Sequence, residues 1–295
     1  MLIEAASLSQ ILKAKLSDYG QLIKIRLSFV VVFSASMAYL WAASRSVDSV
    51  TIWFLSAGGF FITGAANILN QIIERKSDKL MKRASSRPIA SGRINIQEAM
   101  VLTFILGLSG LFILSKINIL CMLFGALAML IYAGIYTPLK KITAFTIIPG
   151  AIAGSLPVVI GWIAARGEIT KETVLLFLVQ FIWQFPHTWS IAWLLNSEYN
   201  NARIRILPTG TKNKTSAILI MISAFLIIPV GLLLYMYESA GIHVTGILAC
   251  AGIVVLVFAY KHYKIRTDKS AVRLMLSCLA YLPFILIILV LEKFL

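Results

Sequence analysis

The sequence predicts an all-α protein, a polytopic membrane bundle of about nine transmembrane helices around a central cavity. Three observations predict it. Residues of the AVILMFWYC set make up 59% of the 295 positions and charged residues only 13%, against about 25% charged in ordinary soluble domains. Mean hydropathy is +0.88. The apolar residues also fall in runs of the ~20 residues a bilayer core requires. This composition excludes disorder, collagen-like chains and nearly every soluble fold. It describes one integral-membrane domain over residues 1–295, with the lipid bilayer as its solvent.

The apolar runs place spans at about 28–46, 51–73, 97–115, 117–137, 144–165, 172–195, 215–237, 241–260 and 271–292, each of near-bilayer length. The net charge of +15 comes from 27 Lys and Arg against 12 Asp and Glu. A soluble protein so basic would suggest nucleic acid. Here the cations lie in short gaps, so membrane orientation is the better reading and no nucleic-acid partner is expected. With nine spans, 22 of the cations fall on the side of the N-terminus and five on the other. That asymmetry predicts a cytoplasmic N-terminus. A mixed segment with Lys13, Lys15 and Asp18 precedes the first run, unlike a signal or transit peptide. The expected location is a bacterial plasma (inner) membrane. Cys121, Cys250 and Cys278 are far apart inside apolar runs, and are expected to be inert and buried. His243 and His262 lie in gaps and are expected to be solvated.

The second span ends in GAANILNQIIERKSDKLMKRASSRPIASGRI. On a helix Asn67, Asn70, Gln71, Glu74 and Asp78 fall within about 60° of one line, a polar stripe that begins inside the apolar run. Polar groups at that depth face a cavity or a partner. Glu74 and Asp78 are one turn apart, and Mg²⁺ typically takes one or two carboxylates while keeping sites for water and substrate phosphate. Arg83, Arg87 and Arg93 follow directly, and arginine suits bidentate phosphate contacts. The combination reads as a diphosphate site. Interhelical hydrogen bonding by the amides is the bland alternative.

The fourth span leads into YTPLKK, with Lys140 and Lys141, and Lys24 and Arg26 precede the first span. These pairs are either snorkelling anchors or part of an anion-binding mouth. In the fifth span Gly150 and Gly154 permit close helix approach or a wide ligand groove. The sixth span ends in QFIWQFPHTWSIAWLLNSEYNNARIRILP, where Gln180, Gln184, His187 and, if the helix continues, Glu198 share a face. Pro186 should loosen the helix beside His187, and an intramembrane histidine is a functional candidate. The polar ends of spans two and six suggest two related halves whose acidic faces meet across a cavity.

These segments resemble the intramembrane prenyltransferases of the UbiA superfamily, and within it the protoheme IX farnesyltransferase (heme O synthase) branch. The resemblance covers most of the chain and follows family order. KIR stands at Lys24–Arg26, NxxxExxxD at Asn70–Glu74–Asp78 and RxxxRP at Arg83–Arg87–Pro88. YTPLKK then runs from Tyr136 to Lys141, followed by the Gly/Pro pattern of span five and WQFPHTWSIAW at Trp183–Trp193. The acidic motif marks the superfamily and the Pro-His segment marks the branch. Glu198 stands where the family more often has Asp, Arg203 replaces a usual Gly and Ile206 a usual Met.

The resemblance implies Mg²⁺-dependent transfer of a farnesyl group from farnesyl diphosphate to a vinyl group of protoheme IX, giving heme O for terminal oxidase assembly. Asn70, Glu74, Asp78 and His187 would be catalytic, with Glu74, Asp78 and Glu198 holding the metal. Lys24, Arg26, Arg83, Arg87, Lys140 and Lys141 would hold diphosphate or heme propionates. Trp183 and Trp189 would offer faces to an allylic cation. His187 could orient heme, ligate its iron or act on water. Heme A synthase or a terminal oxidase would be the protein partner. Rival readings are a quinone-precursor or chlorophyll-type prenyltransferase, and a transporter of anionic lipids or small anions.

Overall fold

The computed structural model describes residues 2–294, with side chains from residue 9 to 293. Twelve α-helices follow in chain order: α1 (Leu2–Leu22), α2 (Ile25–Ala43), α3 (Ser49–Asp78), α4 (Ile96–Ser115), α5 (Ile119–Met129), α6 (Thr137–Leu139), α7 (Ile147–Arg166), α8 (Lys171–Leu194), α9 (Asn196–Asn201), α10 (Lys214–Met236), α11 (Ile242–Ile265) and α12 (Asp268–Phe294). A seven-residue π-helical stretch, Leu130–Tyr136, joins α5 to α6. Among the described residues nine helical segments are long and apolar enough to cross a bilayer, and their bounds lie within five residues of the apolar runs. The largest offsets are at the ends of α3 and α11, where helix continues into polar sequence.

Local sequence explains the main boundaries. Asp48 caps α3 by accepting from the backbone N–H groups of Val50 and Thr51, which satisfies donors the first turn leaves open. Asn95, Asn118 and Asn213 cap α4, α5 and α10 in the same way. Gly167 ends α7 in the left-handed region that glycine adopts without cost. Close packing of α7 on α2 depends on Gly161, where a Cβ would overlap the Ala35 carbonyl. Pro186 does not interrupt α8, which runs unbroken from Lys171 to Leu194.

The helix α1 and four of the connections meet on one face. Lys15 pairs with Glu98 and Arg93 with Asp18, tying α1 to the α3–α4 segment. The Arg83 N–H donates to Glu198, the Arg205 N–H to the Lys140 carbonyl, and Lys212 pairs with Asp268. These are the gaps whose cations predicted a common side. At 30 residues, α3 is about 45 Å long and outlasts the ~30 Å hydrocarbon core. Its last turns therefore carry acidic residues into this shared mouth.

Two further expectations are corrected. His262 is fully buried, with its Nδ1 2.9 Å from Ser270 Oγ and its ring edge-on to Trp193. The α11 helix extends past the apolar run and carries it inside. Cys250 is exposed on α11, whereas Cys121 and Cys278 are buried as expected. The segment before the first span is helical and exposes Ile11, Leu12 and Leu16.

Candidate active site

The polar stripe of α3 separates into two sets. Asn67 donates to the Ile23 carbonyl and Gln71 to the Leu22 carbonyl at 2.7 Å. These amides cap carbonyls at the end of α1 and fix the break before α2. Lys24 occupies that break in a left-handed conformation, φ 49°. Asn70, Glu74 and Asp78 form the other set, at 1%, 4% and 1% exposure.

Each member of this set has a defined partner. Asn70 accepts from Lys24 Nζ at 3.2 Å and donates to Thr137 Oγ1 at 3.0 Å. Glu74 accepts from Lys140 Nζ at 3.0 Å. Both Asp78 oxygens lie 2.8 Å from Arg87 Nη1. Two buried carboxylates are thus held by two cations, as burial of charge demands. Lys24, Asn70, Glu74, Arg83, Arg87 and Lys140 line a polar cavity of about 80 Å³, closed by Tyr199, Ile204 and Ile206 from the α8–α10 segment. Burial, then the neighbouring Arg87 and Lys140 charges, push the Lys24 ammonium down to about 7. Burial opposes the Lys140 charge as well, but the Glu74 carboxylate outweighs it and holds that ammonium above its ordinary value.

A second cavity of about 350 Å³ adjoins the first and is mostly apolar. Tyr132 and Tyr136 line both. They project from the π-helical stretch with ring centroids 5.5 Å apart, and Lys140 Nζ sits 4.3 Å above the Tyr136 ring. The Thr137 hydroxyl donates to the Tyr132 carbonyl at 2.8 Å, a bond of the widened turn. Gly150 and Gly154 also line the larger cavity, where a Cβ would meet Tyr136 and Gln184 respectively. His187 lines it too, stacked on Trp183 at 4.7 Å and 13°. Trp183 is fixed by donating Nε1–H to the Cys278 carbonyl, and His187 Nδ1 is buried without a protein partner. The site is amphipathic, with a charged end that suits a diphosphate and a long greasy end that suits a hydrocarbon tail and a flat ring system.

Other expected members fall elsewhere. Arg26 and Lys141 are exposed and outside both cavity linings. Arg93 is engaged with Asp18 rather than with the α3 carboxylates. Trp189 packs edge-on to Phe185 outside the cavity. The helix breaks at Leu195, so Glu198 does not continue the His187 face. Glu198 stands at the mouth, accepting the Arg83 N–H at 3.2 Å. Among the described residues no three carboxylate, His or Cys side chains cluster as a metal cage. Tyr132 and Thr137 were not singled out from the sequence. The spacing Tyr132–Tyr136–Lys140, one helical turn at each step, was the available signal.

An intramembrane helical bundle with a buried carboxylate–cation end and an apolar tunnel defines a membrane prenyltransferase. The UbiA prenyltransferase family matches residues 31–285, and the chain belongs to that family. It is 40% identical over 277 residues to the protoheme IX farnesyltransferase of Cytophaga hutchinsonii, covering 93% of this chain and 97% of that one. It is 37% identical over 290 residues to the protoheme IX farnesyltransferase of Flavobacterium psychrophilum, covering 96% and 97%. Among solved structures, digeranylgeranylglyceryl phosphate synthase superposes with a TM-score of 0.79 at 18% identity, over 95% of this chain and 99% of that one. A UbiA homolog from Archaeoglobus fulgidus bound to GPP and Mg²⁺ superposes with a TM-score of 0.71 at 12% identity, over 92% and 99%. These last two establish the fold.

Proposed function

We propose that the chain transfers a farnesyl group from farnesyl diphosphate to a vinyl group of protoheme IX, in a bacterial plasma membrane with its N-terminus in the cytoplasm. The observation that carries the reading is the junction of the two cavities at Tyr132 and Tyr136. The diphosphate lies in the small cavity, with Lys24, Arg83, Arg87 and Lys140 as its counter-charges. The farnesyl chain and the heme share the large one. Similarity to protoheme IX farnesyltransferases supports heme as acceptor over a quinone precursor or a chlorophyll-type ring. The carboxylate–arginine end argues against a transporter.

Glu74 and Asp78 are hard oxygen donors one turn apart, and Asn70 turns its Oδ1 to the same side as Lys24. Glu74 and Asn70 face the small cavity, and with Asp78 released from Arg87 they would supply the oxygen donors that Mg²⁺ takes, its remaining positions left to water and phosphate. Glu198 would act from the mouth. When bound, the ion offsets charge developing on the leaving diphosphate. The chain's own groups do the rest. Lys140 and Arg87 counter the carboxylate charges and stand beside the small cavity for phosphate oxygens, an electrostatic stabilisation built into the fold. The apolar lining keeps bulk water from the allylic cation, and Trp183, Tyr132 and Tyr136 offer π faces to it. His187, clamped on Trp183 with a free ring nitrogen, faces the acceptor's end of the cavity.

The test is direct. Membranes containing the protein, supplied with farnesyl diphosphate, Mg²⁺ and protoheme IX, should yield a farnesylated heme. Glu74→Ala should abolish it. Formation of a prenylated quinone precursor instead, or normal turnover in Glu74→Ala, refutes the assignment.

A further inference from the structure

A third pocket, of about 280 Å³, lies at the opposite end of the bundle from the carboxylate cavity. It is enclosed by the C-terminal ends of α2, α7, α10 and α12 and the start of α8. Trp41 and Trp162 line it, edge to face at 5.2 Å, both buried and both with an indole N–H that lacks a protein acceptor. The wall carries five ionisable side chains of both signs, Arg166 and Lys293 against Glu168, Glu172 and Glu238. None of these cations pairs with any of these carboxylates among the described residues. Lys293 instead lies 6.0 Å from the Trp41 ring centre. Glu172 is held by the Thr170 and Ser239 hydroxyls, which fixes its direction.

We propose that this pocket binds the headgroup of a phospholipid that carries both a phosphate and a primary ammonium, in the leaflet opposite the diphosphate cavity. Opposite charges that ring one pocket without neutralising one another leave separate places for an anion and a cation. A simple anion would meet three carboxylates, and a simple cation would meet Arg166 and Lys293. A zwitterion satisfies both sets. Its phosphate takes Arg166 and Lys293, and its ammonium takes the carboxylates beside the aromatic rings. Ser44 and Glu238 line the pocket with φ values of 54° and 57°. Side chains rarely adopt that conformation, and it concentrates at binding sites. The rim favours a lipid over a free metabolite. Met236 and Tyr237 precede Glu238, Ile169 follows Glu168, and all three are large, exposed hydrophobic side chains at or beside the ends of membrane-length helices. The inference does not depend on the acceptor assigned above.

The experiment is native mass spectrometry of the full-length protein released from micelles containing equimolar phosphatidylethanolamine and phosphatidylglycerol. Phosphatidylethanolamine should be retained at least fivefold over phosphatidylglycerol. Arg166→Gln with Lys293→Gln, and separately Glu168→Gln with Glu238→Gln, should each bring that ratio to near one while prenyl transfer stays within twofold of wild type. Glu238→Gln alone, at an exposed position, gives the same readout if a double variant misfolds. Equal retention of the two lipids, or a preference untouched by every variant, overturns the proposal. Displacement of the lipid by equimolar free phosphoethanolamine overturns its assignment to a membrane lipid.

Discussion

Thr137→Val removes one hydroxyl and almost no volume, at a position that touches neither cavity. Thr137 is fully buried, and its hydroxyl has two defined bonds. It donates to the Tyr132 carbonyl, so its lone pairs face Asn70 and can only accept. That directionality fixes the amide, with Nδ2 toward Thr137 and Oδ1 toward Lys24 and the cavity. Valine strands the Asn70 N–H group in a buried position, at a cost of about 1–3 kcal/mol. The amide relieves the loss by rotating half a turn, which sets its NH₂ against the Lys24 ammonium and withdraws the oxygen offered to a metal. If about 2 kcal/mol of that cost appears in the substrate complex, kcat/KM falls roughly thirtyfold. The assay is prenyl transfer in membranes, titrated with Mg²⁺ and with farnesyl diphosphate. Thr137→Val should raise the Mg²⁺ concentration for half-maximal activity about tenfold or more, and Thr137→Ser should restore it. A valine variant within twofold of wild type in both titrations, or a serine variant as damaged as valine, refutes the positioning role.

Other outcomes follow from the same contacts. Arg87→Met leaves Asp78 buried without its partner, and breaking such a pair typically costs about 3–5 kcal/mol, so turnover should be lost and the melting midpoint should fall; Arg87→Lys should recover most of the melting midpoint, because one nitrogen, Nη1, makes both contacts to Asp78 and an ammonium can stand in for it. Gly161→Ala places a Cβ against the Ala35 backbone carbonyl, and backbone cannot swing away, so expression and thermal stability should drop while Gly246→Ala, in open space, should be near neutral. Asp48, held below the usual carboxylate range by the Thr51 hydroxyl and then the Thr51 and Val50 N–H groups, contributes its cap while ionised. That contribution is present above the ordinary carboxylate pKa and lost as pH falls through the depressed value, so Asp48→Asn should flatten the acid limb of a melting-midpoint profile and leave the neutral region little changed. His187→Ala should weaken heme retention or slow transfer while leaving farnesyl diphosphate affinity intact, and unchanged heme binding with an unchanged rate would remove His187 from the acceptor's site.

What was legible in the sequence divides along physical lines. Lipid imposes a length and a composition on every span, so the nine apolar runs coincide with nine helices that, among the described residues, are long and apolar enough to cross a bilayer. Charge asymmetry grouped the gaps, and ion pairs and backbone bonds join those same gaps on one face. Helical periodicity put Asn67, Asn70, Gln71, Glu74 and Asp78 together, but a stripe within about 60° still spans two neighbours. The α1 end takes Asn67 and Gln71, and the cavity takes Asn70 and Glu74. Which amide serves which neighbour depends on tertiary packing that no spacing encodes. The same limit applies to the cations. Lys140 and Lys141 are adjacent letters, yet one lies inside a buried pair and the other is exposed. The π-helical stretch adds a further reason. Its i→i+5 bonding shifts every later residue by a fraction of a turn, and Tyr132 and Lys140, on either side of that shift, both line the small polar cavity. The irregular turn carries Tyr132 and Tyr136, the two residues that line both cavities.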